Sequence, residues 1–373
     1  MQNPRPPLAA ASLAATLLLA GCASEPDEPT ATATAPTSAA PKAGEHLLVA
    51  DFGADTVTFI DPSRRQNAEL ASVNVGTAPY GIALGADGTA WVSTAEGVAV
   101  VDTATRERVD RIAYRTKTGP VGTGEYRGGG MGIALSPVGR QLYVGVNVPG
   151  QKGVLEVIDA ATREIVRTVP AGMRPFDVDV APDGSRVYVT NHDSYDVTIV
   201  DTSDWTTRSV VVDPYDTGRS LGDWLKPHYA VVRAGDGALL LPFEGEKLLV
   251  IDPESGRVTT ETMTADTHQH GIAAGPDGTL FVVGTGGTSD SGNGPSLTIR
   301  TPGGDERVID LKGPHEDVAV SADGATAYVS GGFTRDGYWD GLSIVDVASG
   351  KVTRLAAGER PLGIVVLDPP DRS

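Results

Sequence analysis

Cysteine is almost missing from this chain. A single Cys in 373 residues excludes an intrachain disulfide framework and any zinc site built on clustered cysteines. Positive charge is also in short supply. The 30 Lys and Arg face 48 Asp and Glu, a formal charge of −18, which argues against nucleic acid as a partner because phosphate binding is built on Lys and Arg. The apolar run from Leu8 to Ala20 is shorter than the roughly 20 residues needed to span a bilayer. What the chain has in abundance is punctuation. Its 46 Gly and 26 Pro are too many for a helical protein and fit many short strands joined by turns. With 40% hydrophobic residues it can still bury a core. Length alone, at roughly 100–200 residues per domain, suggests two or three domains; the internal repeats reduce that to one.

The Leu8–Ala20 run follows Arg5 and precedes Gly21 and Cys22, the layout of a secretory signal. Leu19-Ala20-Gly21-Cys22 resembles the lipobox of bacterial lipoproteins, and the only cysteine stands at the lipobox position. The resemblance implies a signal peptide over 1–21, cleavage before Cys22 and lipidation of its thiol. Acyl chains anchor by burying CH₂ groups, about 0.8 kcal/mol each. The mature protein is therefore expected in the cell envelope, on the outer side of the cytoplasmic membrane or in the periplasm, with the lipid as its membrane attachment. Residues 22–44 hold that cysteine and a stretch of Ala, Pro, Thr, Ser, Gly and a few charges, with no large apolar residue. Such a segment cannot offset its ordering entropy and reads as a flexible linker.

Residues 45–370 repeat one unit seven times. A short apolar run ends in a turn at GIALGADG (81–88), GIALSPVG (132–139), DVDVAPDG (177–184), AVVRAGDG (230–237), GIAAGPDG (271–278) and DVAVSADG (317–324), and GIVVLDPP (363–370) is the seventh. A second strand follows each of the first six, and HLLVA at 46–50 is another copy. A third run ends in aspartate at Asp61, Asp102, Asp159, Asp201, Asp252 and Asp346, with Thr301 in the sixth unit. A fourth, more polar run completes the unit. Short apolar runs bounded by Asp-Gly and Ser-Gly are strands and hairpins. Four strands in each of seven units of about 46 residues match a propeller period. The expectation is an all-β, seven-bladed β-propeller with strands A (innermost) to D. The chain starts on strand B and ends on strand A, so 361–367 should close the first blade and leave no open edge. Residues 371–373 are a tail.

RPFDVDVAPDG at 174–184 followed by RVYVTNHDSYDVTIVDTSDWTTRSV at 186–210 resembles the YVTN-type repeat of bacterial surface and extracytoplasmic propellers, within the YncE-like, lactonase-like superfamily. Tyr188-Val189-Thr190-Asn191 is the motif itself; the other blades vary it as LYVG, LFVV and AYVS. The resemblance implies the fold. It does not imply one activity, because such propellers include binding proteins and lactonase-like relatives.

Strand order sorts the loops by face. A-to-B and C-to-D turns share one face, the bottom, and are all short. B-to-C and D-to-A loops share the other, the top, and carry the long insertions at 114–130, 213–227, 284–295 and 330–340. Insertions confined to one face mark it as the binding face. Tyr126, Trp224, Tyr338 and Trp339 fall in these loops and, with Tyr229, could contact a ligand or equally pin the loops down. The C-strand aspartates cap turns through their own backbone and are structural. Gly122-Thr123-Gly124 and Gly128–Gly130 lack the helix and Lys-Ser/Thr of a phosphate cradle and read as loop.

Histidines cluster by the same logic. His228, His268, His270 and His315 precede or begin A strands, whose starts ring the mouth of the central channel. The ring positions are Tyr80, Met131, Phe176, His228 or Tyr229, His270, His315 or Glu316, and Leu362. Four blades offer apolar groups and three consecutive blades offer imidazole or carboxylate. Imidazole nitrogens and a carboxylate converging from adjacent strands can bind a divalent metal ion or act as a base and its orienter. His228, His270 and His315 with Glu316 are therefore the candidate metal site; hydrogen bonding to loops or channel water is the alternative use. His268 lies two residues before His270 but falls in the loop. The leading functional reading is a binding protein for a partner protein, small ligand or metal on the top face. The second is a metal-assisted hydrolase or lyase, lactonase-like or lyase-like, at the channel mouth using His228, His270 and His315.

Overall fold

The computed structural model describes residues 41, 44–213, 226–287, 292–332 and 337–367. Cys22, Trp224 and the 1–21 and 371–373 segments lie outside the described residues. Among the described residues there is no helix, and 28 strands form seven four-stranded antiparallel sheets arranged around an axis. The first sheet holds β1 (His46–Asp51), β2 (Thr56–Ile60) and β3 (Glu69–Asn74). The second holds β4 (Ile82–Leu84), β5 (Thr89–Ser93), β6 (Gly97–Asp102) and β7 (Glu107–Ala113). The third holds β8 (Gly129–Leu135), β9 (Gln141–Asn147), β10 (Lys152–Asp159) and β11 (Glu164–Met173). The fourth holds β12 (Pro175–Val180), β13 (Arg186–Asn191), β14 (Asp196–Asp201) and β15 (Thr207–Val211). The fifth holds β16 (Val231–Val232), β17 (Leu239–Phe243), β18 (Gly245–Ile251) and β19 (Val258–Thr267). The sixth holds β20 (Gln269–Ala274), β21 (Leu280–Gly284), β22 (Ser296–Arg300) and β23 (Glu306–Asp310). The seventh holds β24 (Val318–Val320), β25 (Thr326–Ser330), β26 (Gly341–Asp346) and β27 (Val352–Ala356). The last strand, β28 (Pro361–Leu367), pairs antiparallel with β1, His46 opposite Leu367 and Val49 opposite Ile364. The two ends of the propeller thus share one blade, as the strand count requires.

Blade-on-blade packing explains the sequence pattern. The middle strands are buried on both faces and read as near-continuous apolar runs, such as Leu239–Phe243, whereas β7 is exposed at five successive positions. Each core cluster joins facing sheets: Leu48, Val57 and Phe59 of the first pack against Val92, Ala99 and Val101 of the second. Burying one such side chain contributes roughly 1.5–3 kcal/mol. The Tyr188-to-Asn191 segment divides its labour. Tyr188 packs between the fourth and fifth sheets. Asn191 accepts from Gly172 N (3.0 Å) and donates to Val189 O (3.1 Å) and Thr198 Oγ1 (2.9 Å), tying the top of β13 to the end of β11 in the preceding blade.

Two glycine roles set the top and bottom of the blades. At the bottom, the A-to-B turns place glycine in the left-handed region, as at Gly184 (φ 72°). At the top, a Cβ on Gly132 would lie 2.4 Å from Asp177 Cα of the next inner strand, and one on Gly363 would lie 2.4 Å from Tyr80 O. Inner strands therefore approach closely at the channel mouth. Gly132→Val should cost several kcal/mol because backbone, not a movable side chain, stands in the way. Where the repeat has Asp instead, the side chain reaches across: Asp177 Oδ2 accepts from Ala230 N at 2.8 Å.

The bottom aspartates do what their spacing predicts. Asp102 Oδ1 accepts from Ala104 N and Thr105 N at 2.9 Å, and Asp346 Oδ1 accepts from Ser349 N at 2.7 Å. Asp159, Asp201 and Asp252 make the same turn, each accepting from the amide two residues on.

Candidate metal centre

The top mouth divides into an apolar half and an imidazole half. Phe52, Ala78, Tyr80, Met131, Phe176 and Leu362 form one buried cluster that Tyr229 packs against. Tyr80 meets Phe52 and Phe176 edge-on, with ring centroids 6.3 and 5.6 Å apart. The four apolar ring positions read from the repeat alignment are all in this cluster.

Four histidines fill the other half. His228 precedes β16, His268 and His270 flank Gln269 at the start of β20, and His192 follows β13. The His228 and His270 rings stack with centroids 4.1 Å apart at 19°. His268 stands 5.1 Å from His228 and 4.6 Å from His270. His192 stands 5.0 Å from His228 and stacks on Phe176 at 5.3 Å. His228, His268 and His270 each offer one ligand nitrogen, and these three atoms lie within 4.8 Å of one another. His228 is 4% exposed, and its Nδ1 has no hydrogen-bond partner.

Acidic side chains stand beside these rings. His268 Nδ1 is 2.7 Å from Glu244 Oε1, and His270 Nδ1 is 3.1 Å from Glu316 Oε2. Glu244 comes from the β17–β18 connection and is fully buried. Glu316 sits beside His270 because its own carbonyl accepts from Gly271 N at 2.9 Å. Tyr229 Oη donates to Glu316 Oε1 at 3.3 Å. His192 Nδ1 is 2.7 Å from Asp193 Oδ1, which Lys226 Nζ also reaches at 2.8 Å.

Burial controls the charge states. It holds the His228 imidazole well below its ordinary value, and the neighbouring His270, His192 and His268 add to the effect. His192 is pushed down to about 3 by burial and by the Arg174 charge. Both rings are therefore neutral near pH 7, the form in which imidazole offers a lone pair. Burial raises Glu316 to about 8, helped by the charge of Glu125 and opposed by His268, Tyr229 and Arg174.

The structure places His315 elsewhere. Its Nδ1 is 2.8 Å from Gly313 O and its Nε2 is 2.8 Å from Ser343 Oγ of β26, so both nitrogens are used inside its own blade. Successive residues point to opposite sides of an extended chain: Glu316 faces the mouth and His315 faces away from it. Of the four expected ligands, His228, His270 and Glu316 come together and His315 does not. The missed members are His268, Glu244 and His192. The His-x-His spacing signals the first of these. Glu244 carries no signal in PFEGEK, and His192 lies one residue past the repeat motif.

The loop aromatics are held by arginines. Arg174 lies 3.9 Å over Tyr126, Arg354 3.6 Å over Trp339 and Arg360 4.4 Å over Tyr338. Tyr229 is the one inside the mouth. A groove of about 660 Å³ lies away from this chemistry, among Asp183, Asp236 and Glu254 on the bottom turns.

No model of a known protein family matches the chain, and no curated protein sequence matches it. Solved structures do. Hydrazine synthase of Kuenenia stuttgartiensis is 18% identical, with 78% of this chain and 90% of that chain covered and a TM-score of 0.60. A streptogramin B lyase is 14% identical over 86% of this chain and 91% of its own, again with a TM-score of 0.60. The β-propeller domain of Myceliophteria thermophila Cps50 (Swd1) is 15% identical over 81% and 93%, with a TM-score of 0.60. At these identities the fold is what is shared, and the chain is a seven-bladed β-propeller.

Proposed function

We infer that this chain is a binding propeller whose top mouth holds a divalent transition-metal ion on His228, His268 and His270. The observation that carries the reading is the convergence of three buried imidazoles, with ligand nitrogens within 4.8 Å of one another. In a tetrahedral shell with bonds near 2.0 Å, ligand atoms stand about 3.3 Å apart, so an ion would draw the set together by up to about 1.5 Å. Neutral imidazoles suit Zn²⁺, Cu²⁺ or Ni²⁺ better than Mg²⁺ or Ca²⁺. Glu244 and Glu316 stand beside Nδ1 of His268 and His270, at 2.7 and 3.1 Å, where acidic neighbours help to fix the orientation of ligand rings. The orphaned Nδ1 of buried His228 gives the set a further reason to take a cation. The lipobox resemblance at Cys22 and the YVTN-type repeat support a lipid-anchored, extracytoplasmic binding protein of the cell envelope, with the long top loops as the surface for a partner protein or small ligand.

The alternative is a metal-assisted hydrolase or lyase. Its support is specific: three protein ligands leave a fourth position open, and Glu316 and Tyr229 stand beside His270 as groups able to hold a proton there. The ion, when bound, would supply Lewis-acid polarisation.

Elemental analysis of untagged protein tests the inference. Near-stoichiometric metal that is lost in His270→Ala supports it. Absence of metal, together with no thermal shift on adding Zn²⁺, Cu²⁺ or Ni²⁺, overturns it. Hydrolytic or lyase turnover dependent on the ion would move the reading to the alternative.

A further inference from the structure

Two arginines are buried at the apolar half of the mouth, and one has no counter-charge. Arg127, at the end of the 114–130 loop, is 5% exposed. Its Nη2 donates to Ala78 O at 2.6 Å and its Nη1 to Gly128 O at 3.1 Å, while Nε is buried without a partner. Two of the five guanidinium donors are therefore used, both on backbone carbonyls. Among the described residues no carboxylate pairs with it. Burial lowers its pKa to about 10, so it keeps its charge at neutral pH. The guanidinium lies 6.0 Å from the Phe52 centroid and 5.9 Å from that of Tyr80. A buried charge without a partner is costly, and loop anchoring through two carbonyls does not require one.

Arg174 stands on the neighbouring blade. Its side chain is 1% exposed and its Nε is also buried without a partner. Nη2 reaches Glu125 Oε1 at 3.2 Å and Glu125 O at 3.1 Å, and Nη1 lies 3.5 Å from His192 Nδ1. The two arginines are close enough for the Arg174 charge to add to the lowering of Arg127. Glu125, the carboxylate within hydrogen-bond reach of Arg174, is 33% exposed and sits on the rim, where it can be exchanged, while the buried side of Arg174 feels the charge of Asp193. Tyr126 and Phe176 flank Arg174 at 3.9 and 5.6 Å. In a chain of net charge −18, this is a locally cationic, aromatic-walled corner.

We propose that this corner is an anion site that takes a small organic carboxylate, its carboxylate on the Arg127 and Arg174 guanidiniums and its apolar body against the flanking rings. Glu125 occupies the site in the free protein and is displaced by the ligand. Planar guanidinium forks match carboxylate geometry, and the aromatic walls favour a ligand with an apolar body over a bare inorganic anion. The proposal goes beyond metal binding and stands on different side chains.

Titration calorimetry of the full chain with sodium benzoate, acetate and sulfate, on metal-free and Zn²⁺-treated protein, tests it. Benzoate should bind, acetate more weakly and sulfate least. Arg127→Met should weaken benzoate binding roughly tenfold or more. Arg127→Lys, which keeps the charge and loses the fork, should fall between, and covers the case in which the methionine variant fails to fold. Glu125→Gln should tighten binding by removing the competing carboxylate. No benzoate binding, equal binding of sulfate, or unchanged affinity in a folded Arg127 variant each overturns the proposal. His228→Ala separates the two readings, since it should abolish metal uptake and leave metal-free benzoate binding intact.

Discussion

The bottom rim and the top mouth are built from the same repeat, yet they use it in opposite ways. At the bottom, one solution recurs: an aspartate closes the turn after the third strand, seen at Asp61, Asp102, Asp159, Asp201, Asp252 and Asp346. At the top, positions equivalent by repeat hold Tyr80, Met131, Phe176, Tyr229, His270, Glu316 and Leu362, apolar packing in one run of blades and imidazole or carboxyl groups in the other. A residue that recurs in six of seven blades answers a need that the blades share. A residue found in one blade answers a need of the assembled ring. The mouth is where such residues accumulate, and there the chain accepts buried imidazoles, carboxylates and guanidiniums that an apolar channel would not need.

The contrast can be broken hardest at the histidines. His228→Ala should lower metal affinity by more than about 100-fold, beyond the 10–100-fold typical of an outer-shell change, while circular dichroism and blade packing stay intact. Uptake unchanged in that variant would return the imidazoles to a structural role. Glu244→Gln keeps the shape of the His268 partner and removes its charge. A loss of roughly 10–100-fold in metal affinity, read by competition with a chelator, is expected.

Metal-free protein should show a stability maximum between about pH 4.5 and 6.5. His228, His192 and His315 are depressed below 6.5, to about 3 and 4 for the latter two. Their stabilisation is complete above pH 6.5 and is lost as pH falls, because the unfolded chain takes up protons first. Glu316 and Asp317, raised to about 8, and Asp51, raised to about 7, act in the opposite sense. They stabilise most below their ordinary values near 4 and lose that contribution as pH rises towards 8. Where the two windows overlap the effects offset; outside the overlap melting temperature should fall, each group contributing on the order of 1 kcal/mol per pH unit. A melting temperature that climbs steadily from pH 6.5 to 8 would contradict the buried carboxyls. The smallest effect should come from the bottom rim. Asp346→Ala removes bonds from Ser349 N and Oγ at 2.7 and 2.6 Å and should cost about 1 kcal/mol in denaturant melts, with no change in metal affinity.

Much of this was legible because propeller repeats are one-dimensional information. Strand order, closure through 361–367 and the sorting of short and long loops all follow from spacing. So does the split between four apolar and three polar ring positions. What spacing could not resolve was the pair of ambiguities at the mouth. His228 and Tyr229 both reach the mouth, since the chain there is coil before a two-residue strand. Between His315 and Glu316 the structure selects Glu316, because Gly271 N holds the Glu316 carbonyl and turns its side chain towards His270. The acid beside His268 was invisible for another reason: Glu244 sits on a second-to-third-strand connection of a blade whose loop is short and unremarkable in sequence.

The sequence by itself determined the architecture and the bottom rim, because strand period, turn chemistry and backbone capping are local and repeat seven times. Only the tertiary structure decided the mouth. It joined His192, His228, Glu244, His268, His270 and Glu316 across four blades, and Arg127 with Arg174 across two. Contacts between residues far apart in the chain depend on ring closure and on which way each side chain faces at the end of its strand. Neither is written in the local order of residues.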